Sequence, residues 1–299
     1  SNPDGNDDLG KNRIETQFTP KMVGTRTEGN GLNVNRDMTK LETACGRTIV
    51  QLMNDWNPIL FIDAHATDGS YMRHAVTYNW GLNAGTDPEL LEYNRDVFCS
   101  RALRKGSYLE SKDKVAVPYG NWGYYYSGIV DEGWRTFEDY ARYTTNYAGL
   151  RNRLALLLEV YSYDKFPVRV ETQYECIYGA LKVVAKDKDE IKEMIAAADA
   201  RSKDRAKNGI DPERDIVALN SEMTPMPFEG KDKLTVLSYE TDEEGQVIGT
   251  RLYDEEGDPY DIEYGKPVDY ETEYWGTFVP TDVETMGAYY LIDNDCKEF

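Results

Sequence analysis

The stretch NPILFIDAH, residues 57–65, is a short and nearly continuous apolar run that ends in an aspartate and a histidine. An apolar run of this length after a proline is typical of a strand that is buried on both faces of a sheet. Such a strand would deliver His65 to the carboxyl end of the sheet, the edge where open α/β folds bind their ligands. This stretch therefore predicts a central sheet with a site at one end.

The segments around this strand alternate between helical and strand-like patterns up to residue 205. We predict two helices, a second buried strand and a long helix at 40–56, 87–106, 153–162 and 169–204. This alternation predicts an α/β domain over residues 1–205, with a mixed, mostly parallel central sheet and flanking helices.

After residue 205 the sequence changes to a period of two. Residues 233–257 alternate apolar and polar side chains around the sequence DEEG, which predicts a β-hairpin. Residues 259–280 continue with tyrosine-rich short strands that are broken by glycine and proline. We expect residues 206–299 to form a small β-rich accessory domain that packs on the first domain.

The charge of the chain limits the classes of molecule that it is expected to bind. The chain has 299 residues, of which 54 are acidic and 34 are basic, so its formal net charge is −20. This charge opposes binding to nucleic-acid backbones and to anionic membrane surfaces. No apolar run approaches the roughly 20 residues that a membrane helix needs, and no cleavable signal is recognised. We therefore expect neither a nucleic-acid partner nor a membrane span.

Cysteine and histidine, which often bind metals, are scarce. The cysteines lie far apart without a CxxC motif, so we expect free or core thiols at Cys45, Cys99, Cys176 and Cys296. The chain has two histidines, and taken alone His65 could simply be held by local backbone groups. Alternatively it is functional and is oriented by Asp63, whose side chain shares its face if the strand is regular.

Glu159 is an anomaly because it places a carboxylate in the otherwise aliphatic run LALLLEV. Burying an unpaired carboxylate costs several kcal/mol or so, and this cost requires a reason. One reason would be a buried ion pair with Arg151 or Arg153. The other would be a general acid or base whose pKa is tuned by an apolar wall.

A third cluster lies in the glycine- and asparagine-rich loop of residues 23–42, where Arg26 and Arg36 bracket a turn-rich segment that contains Asn35. Two guanidinium groups with an amide nearby are suited to binding a carboxylate bidentately. The alternative is a pair of solvated arginines on a surface loop.

Several of these motifs occur in one order along the chain. The series closely resembles the bacterial branch of the zinc metallocarboxypeptidase family, the carboxypeptidase A-like peptidases, over roughly residues 2 to 200. It consists of NPDG (2–5), NR (12–13), GTRT (24–27), LNVNRD (32–37), FIDAHATDG (61–69) and NYAGLRNRLALLLE (146–159).

The resemblance implies a role for each residue of interest. His65 would be the last zinc ligand, and Glu159 would be the general acid/base that assists the zinc-bound water. Asn35 and Arg36 would bind the C-terminal carboxylate of the substrate. Arg26 would polarise the scissile carbonyl and stabilise the oxyanion.

The family's first zinc motif, His-x-x-Glu, should precede NPDG and is not in this chain. A zinc site needs three protein ligands, so we expect weak zinc binding or none unless another segment supplies the rest. We also expect an uncovered sheet face or edge. The missing motif has three explanations: a fragment of an active enzyme, an incomplete gene model or a degenerate homologue. We favour the fragment. We interpret His74 as a strand or loop residue.

Two features of the sequence leave the substrate specificity unassigned. Residues 66–69 depart from the family pattern after the zinc histidine. The tyrosine that closes over substrate in this family could be Tyr143, Tyr147 or one of residues 124–126.

The predicted function is a zinc-dependent metallocarboxypeptidase, with zinc as the cofactor of the complete enzyme and a peptide or small amide with a free carboxylate as substrate. One alternative is a zinc amidohydrolase or deacylase that acts on small N-acyl or cell-wall peptides. Another is a noncatalytic peptide- or glycan-binding homologue. We expect a periplasmic or extracellular location, and the oligomeric state stays open.

Overall fold

A computed structural model describes residues 3–211 and 215–287 of the chain, together with residues 289 and 291. The helices are α1 Pro3–Asp7, α2 Ala44–Trp56, α3 Pro88–Glu92, α4 Cys99–Leu103, α5 Thr144–Leu150 and α6 Phe166–Asn208. The strands are β1 Leu60–Thr67, β2 Val76–Asn79, β3 Ala116–Pro118, β4 Asn121–Trp122, β5 Trp134–Arg135, β6 Leu154–Tyr161, β7 Ile216–Met226, β8 Leu234–Tyr239, β9 Gly249–Tyr253, β10 Pro259–Tyr264, β11 Pro267–Thr272 and β12 Tyr274–Thr285.

The central sheet has four strands in the order β1–β6–β2–β3. β1 runs parallel to β6, β2 runs antiparallel to β6, and β2 runs parallel to β3. Helices pack against this sheet, among them α5 and α6 on β6. The chain therefore has the predicted mixed α/β organisation.

The helices occur close to where the sequence patterns predicted them. The segment that begins at α3 continues through a π-helical stretch, Tyr93–Phe98, into α4, and the Asp87 side chain accepts a hydrogen bond from the Leu90 amide at 3.2 Å. Aspartate at this position satisfies an amide that the helix itself leaves unpaired. No helix among the described residues is both long and apolar enough to cross a membrane.

β1 is less buried than predicted. β6 is buried along its length except at Glu159, but β1 is only partly buried, and the prediction that it is covered on both faces is wrong. The reason is that β1 is an edge strand, which pairs with β6 alone within the described residues. The apolar side of α2 beside it, including Ile49 and Leu52, borders an open cleft.

The prediction that residues 233–257 form one β-hairpin is wrong about which strands pair. β8 pairs along its whole length with β11, whereas β9 pairs with β10 across the second DEEG sequence, residues 254–257. The first DEEG sequence still turns, and it closes the isolated bridge between Thr241 and Val247 and a hydrogen bond from the Ile248 amide to the Glu240 carbonyl at 2.9 Å. β8 buries every second residue, and the partner that extends such a buried face is not specified by local alternation.

The β-rich part shares its core with the rest of the chain. β12 pairs with β5 and with β7, so one sheet, in the order β4–β5–β12–β7, contains strands from both sides of residue 205. Tyr274 and Val236 belong to the same hydrophobic cluster as Trp80 and Trp134. The domain boundary at residues 205 and 206 stays a prediction. Cys45, Cys99 and Cys176 are free thiols, and Cys296 lies outside the described residues.

His74 joins the central sheet to the β-rich part. It lies in the loop before β2, is 3% exposed, and its Nε2 accepts a hydrogen bond from the Leu237 amide at 2.9 Å. Burial, together with the charges of Arg104 and Arg73, lowers the pKa of His74 from 6.5 to about 3. The imidazole is therefore neutral at physiological pH and acts as a structural acceptor.

This pKa shift predicts a loss of stability in acid. Because the folded-state pKa lies below the unfolded value, the contribution of His74 is complete above pH 6.5 and falls as the pH drops toward 3. We expect a loss of about 2 kcal/mol from this residue between pH 7.5 and pH 5. In urea unfolding, His74→Gln should remove this part of the pH dependence. An unchanged pH dependence in the variant would contradict the assignment.

Candidate active site

His65 and Glu159 lie side by side on adjacent strands and line an open cleft. They are register partners on the parallel strands β1 and β6. The cleft has a volume of about 1210 Å³. It is lined by all five residues singled out in the sequence, which are Arg26, Asn35, Arg36, His65 and Glu159. The fold thus brings together side chains that are up to 133 positions apart in the chain.

Asp63 and His65 project from the same face of β1, as a regular strand requires. The His65 Nε2 lies 2.8 Å from Asp63 Oδ1, and Asp63 Oδ2 accepts a hydrogen bond from Thr144. Burial opposes charge on the imidazole, but Asp63 and the nearby Glu159 raise the pKa of His65 overall. Although burial also opposes ionisation of Asp63, its contacts with His65 and Thr144 lower its pKa. A carboxylate therefore orients the imidazole.

Glu159 is not explained by the ion pairs considered from the sequence. Arg153 instead forms an ion pair with Asp199, and Arg151 donates a hydrogen bond to the Tyr147 hydroxyl. Both alternatives are therefore wrong.

The surroundings of Glu159 raise the pKa of its carboxyl group toward neutral pH. Burial raises its pKa to about 7, and the negative charges of Asp63 and Asp68 add to the effect, whereas His65 and Arg26 oppose it. A carboxyl group that titrates near neutral pH is suited to general acid and base catalysis.

A short 3₁₀ turn, Val34–Arg36, holds the candidate carboxylate-binding pair. The Asn33 side chain caps this turn by accepting a hydrogen bond from the Asn35 amide at 3.0 Å. Asn35 Oδ1 accepts a hydrogen bond from the Thr144 amide at 3.0 Å and lies 3.0 Å from the Thr144 hydroxyl oxygen. This arrangement fixes the carboxamide so that its NH₂ group is the part left to donate to a ligand.

Arg36 is exposed on the cleft, and its guanidinium carbon lies 4.4 Å from the centre of the Tyr143 ring. One of its Nη atoms donates to the Asn35 carbonyl at 2.6 Å. Stacking on the ring and the backbone hydrogen bond restrict the side chain without neutralising its charge. Arg36 is therefore positioned in advance for an anionic ligand.

Two buried carboxylates that the sequence reading missed support this loop. Asp37 accepts hydrogen bonds from Thr43 and from the Glu42 amide, and these lower its pKa although burial opposes ionisation. Glu28 accepts hydrogen bonds from the first amides of α2, at Ala44 and Cys45. Acidic residues at a helix N-terminus satisfy its unpaired amides. The sequence feature that could have indicated these contacts is the helix-capping pattern before Ala44.

Arg26 reaches the cleft because two of the quoted motifs meet. The Thr25 amide donates to the Gly5 carbonyl in α1 at 2.8 Å, which joins GTRT to NPDG. A Cβ atom added at Gly24 would lie 2.0 Å from the Gly5 carbonyl oxygen. Only glycine allows this approach, so Gly24 sets the position of Arg26.

We expect Gly24→Ala to destabilise the chain by about 1–3 kcal/mol, because backbone must move to accept the methyl group. Gly10→Ala is the matched control, since its Cβ would make only an ordinary contact, 3.4 Å from the Asn12 side chain. Thermal unfolding of both variants measures the difference. Equal melting temperatures would contradict the close approach at Gly24.

A smaller pocket of about 90 Å³ shares Arg36, His65 and Glu159 with the cleft. Tyr126 and Tyr143 line it, with Phe137, Thr145 and Leu157. Tyr147 packs instead against the small cluster formed by Met53, Ala148 and Ala155. Tyr126 and Tyr143 are thus the candidate substrate-closing tyrosines that border this pocket.

The described residues offer an incomplete zinc site. His65 lines the cleft, but its Nε2 faces Asp63 Oδ1 at 2.8 Å. No set of three metal-binding side chains includes His65 in this part of the chain. The set found there is Asp254, Glu256 and Asp258, a turn whose carboxylates contact Lys21 at 2.6 to 3.8 Å. The described residues therefore do not complete a zinc site around His65.

No family model matches the chain. Searches of curated proteins and of solved structures find no match either. The function of the chain must therefore be inferred from its own residues and their geometry.

Proposed function

We propose that this chain carries the substrate-binding and acid–base part of a zinc-dependent metallocarboxypeptidase, which hydrolyses the C-terminal peptide bond of its substrate. The observation that carries the proposal is the convergence of two cationic side chains, a fixed carboxamide, an imidazole oriented by a carboxylate and a carboxyl group with a pKa near 7 in one cleft. Such a combination suits an amide substrate that ends in a carboxylate.

Asn35 and Arg36 would bind the terminal carboxylate. A guanidinium group donates two parallel hydrogen bonds to a carboxylate, and a neighbouring carboxamide can add a third. The rigid turn and the Tyr143 ring reduce the conformational entropy lost on binding. This contact would place the scissile amide toward His65 and Glu159.

Glu159 would accept a proton from the attacking water and deliver it to the leaving amine. Its pKa of about 7 allows both protonation states near neutral pH. Arg26, whose charge acts on Glu159 and His65, would stabilise the negative charge that develops on the carbonyl oxygen.

Zinc, when bound, would supply Lewis acidity toward the carbonyl and lower the pKa of a bound water. His65 would be one of its ligands, and the others would come from outside the described residues.

We also propose a carboxypeptidase-like fold for residues 1–205, a β-rich accessory domain for residues 206–299 and a location outside the cytoplasm. Because the ligand set is incomplete, noncatalytic peptide binding is the second candidate function of this chain.

The carboxylate preference can be tested without turnover. In a chelating buffer, calorimetry should show that the tripeptide Ala-Ala-Phe binds the chain at least about tenfold more tightly than its C-terminal amide, a difference of about 1.4 kcal/mol. Equal affinities for acid and amide would contradict the proposal.

A further inference from the structure

One charged side chain of the cleft has no part in the reaction proposed above. Asp68 directly follows β1, is exposed and lines the same cleft as Arg36. Within the described part of the chain it makes no hydrogen bond or ion pair. Its negative charge nevertheless contributes to the raised pKa values of Glu159 and Tyr119, so it acts on the centre of the cleft.

The backbone that carries Asp68 is held on both sides. The Thr67 hydroxyl donates to the Gly69 carbonyl at 2.9 Å, and the Ser70 hydroxyl accepts from the Trp122 amide at 3.0 Å. A Cβ atom at Gly69 would lie 2.7 Å from the Asn121 side-chain oxygen, so this turn packs closely against β4. The carboxylate is thus presented from a rigid turn, which lowers the entropic cost of binding a ligand.

Asp68 and the Asn35–Arg36 pair are connected to β1 on either side of His65 along the strand. Asn35 is linked through Thr144 to Asp63, two residues before His65 on β1, whereas Asp68 comes three residues after His65. A strand rises about 3.3 Å per residue, so β1 advances about 7 Å from His65 to its end at Thr67, immediately before Asp68. A substrate with its carboxylate at Arg36 would therefore extend its amino side toward Asp68.

We propose that Asp68 binds an ammonium group on the amino side of the scissile bond, either the free α-amino group of a short peptide or a basic side chain. This inference rests on the proposed function, because it uses the substrate direction set by Arg36. An extended peptide spans about 3.3–3.6 Å per residue, so the distance suits an ammonium group about three residues from the scissile bond at most. Arg13 also lines the cleft, but its Nε donates to Thr16 at 3.2 Å, and no ion pair joins it to Asp68 among the described residues.

The test measures binding to the whole chain by calorimetry in a chelating buffer. The probes are Ala-Ala-Ala-Phe, its N-acetyl form, its C-terminal amide and N-acetyl-Lys-Ala-Ala-Phe. We expect the free amino peptide, the lysyl peptide or both to bind about tenfold more tightly than N-acetyl-Ala-Ala-Ala-Phe. Asp68→Asn should abolish this gain relative to the N-acetyl peptide, whereas Asp131→Asn, outside the cleft, should retain it.

The outcomes separate the two proposals. Equal affinities for the free, lysyl and N-acetyl peptides, with the acid still preferred over the amide, would overturn the role of Asp68 alone. Loss of the preference for the acid, or no binding of any probe, would overturn the proposed function and this inference with it. The probe that gains affinity identifies the source of the ammonium group.

Discussion

Replacing Glu159 with glutamine is expected to stabilise the metal-free chain by about 3 kcal/mol at pH 8 and to have little effect at pH 4. Burial raises the pKa of Glu159 from 4.5 to about 7 in the folded chain. The neutral form is therefore favoured by folding, so its contribution is complete below pH 4.5 and is lost as the pH rises toward 7. A shift of this size corresponds to about 3 kcal/mol, since one pKa unit is about 1.4 kcal/mol.

Urea unfolding in a chelating buffer at pH 4 and pH 8 measures this effect. Glu244→Gln is the matched control, because Glu244 is exposed in the turn between β8 and β9 and lies outside the cleft. The control should show no pH-dependent gain. A Glu159→Gln variant that is equally stable or less stable than the parent at pH 8 would contradict the conclusion that folding disfavours the ionised form of Glu159.

Arg36→Gln is expected to weaken binding of a free-carboxylate tripeptide about 100-fold and to leave the weak binding of its amide unchanged. Losing one partner of a hydrogen-bonded charge pair costs at least about 2 kcal/mol, and glutamine supplies neither the charge nor the fork of donors. Arg36→Lys should lose about tenfold, because it keeps the charge but not the bidentate geometry.

Arg95→Gln provides the control for Arg36, since Arg95 pairs with Asp96 next to it and does not line the cleft. Calorimetric titration of the acid and amide peptides gives the comparison. If Arg36→Gln and Arg95→Gln bind the acid equally well, Arg36 is a solvated surface arginine and the carboxylate site lies elsewhere.

The sequence identified His65 and Glu159 from the strands that carry them, and it identified Arg26, Asn35 and Arg36 from a turn-rich loop and from the order of the motifs. Glu159 stands out in an aliphatic strand, and the period of two along β1 places Asp63 and His65 on one face. What local patterns did not specify was that His65 and Glu159 are register partners. Strand pairing depends on contacts between distant segments, which local periodicity does not encode.

The features that the sequence missed depend on tertiary contacts in the same way. The exposure of β1 follows from its place at the sheet edge, and the choice of β11 over β9 as the partner of β8 follows from the shared core. The buried carboxylates of Glu28 and Asp37 look like ordinary loop acids until their helix-capping contacts are seen.

The most direct test of the central claim measures zinc content and release of the C-terminal residue from Ala-Ala-Phe and its amide. It compares this chain with a form extended upstream to include a His-x-x-Glu motif. We predict that the extended form holds about one zinc ion, as a three-ligand site requires, and cleaves only the free acid, with Glu159→Gln abolishing cleavage. An extended form that holds zinc but releases no residue, or that cleaves acid and amide equally, would contradict the carboxypeptidase proposal.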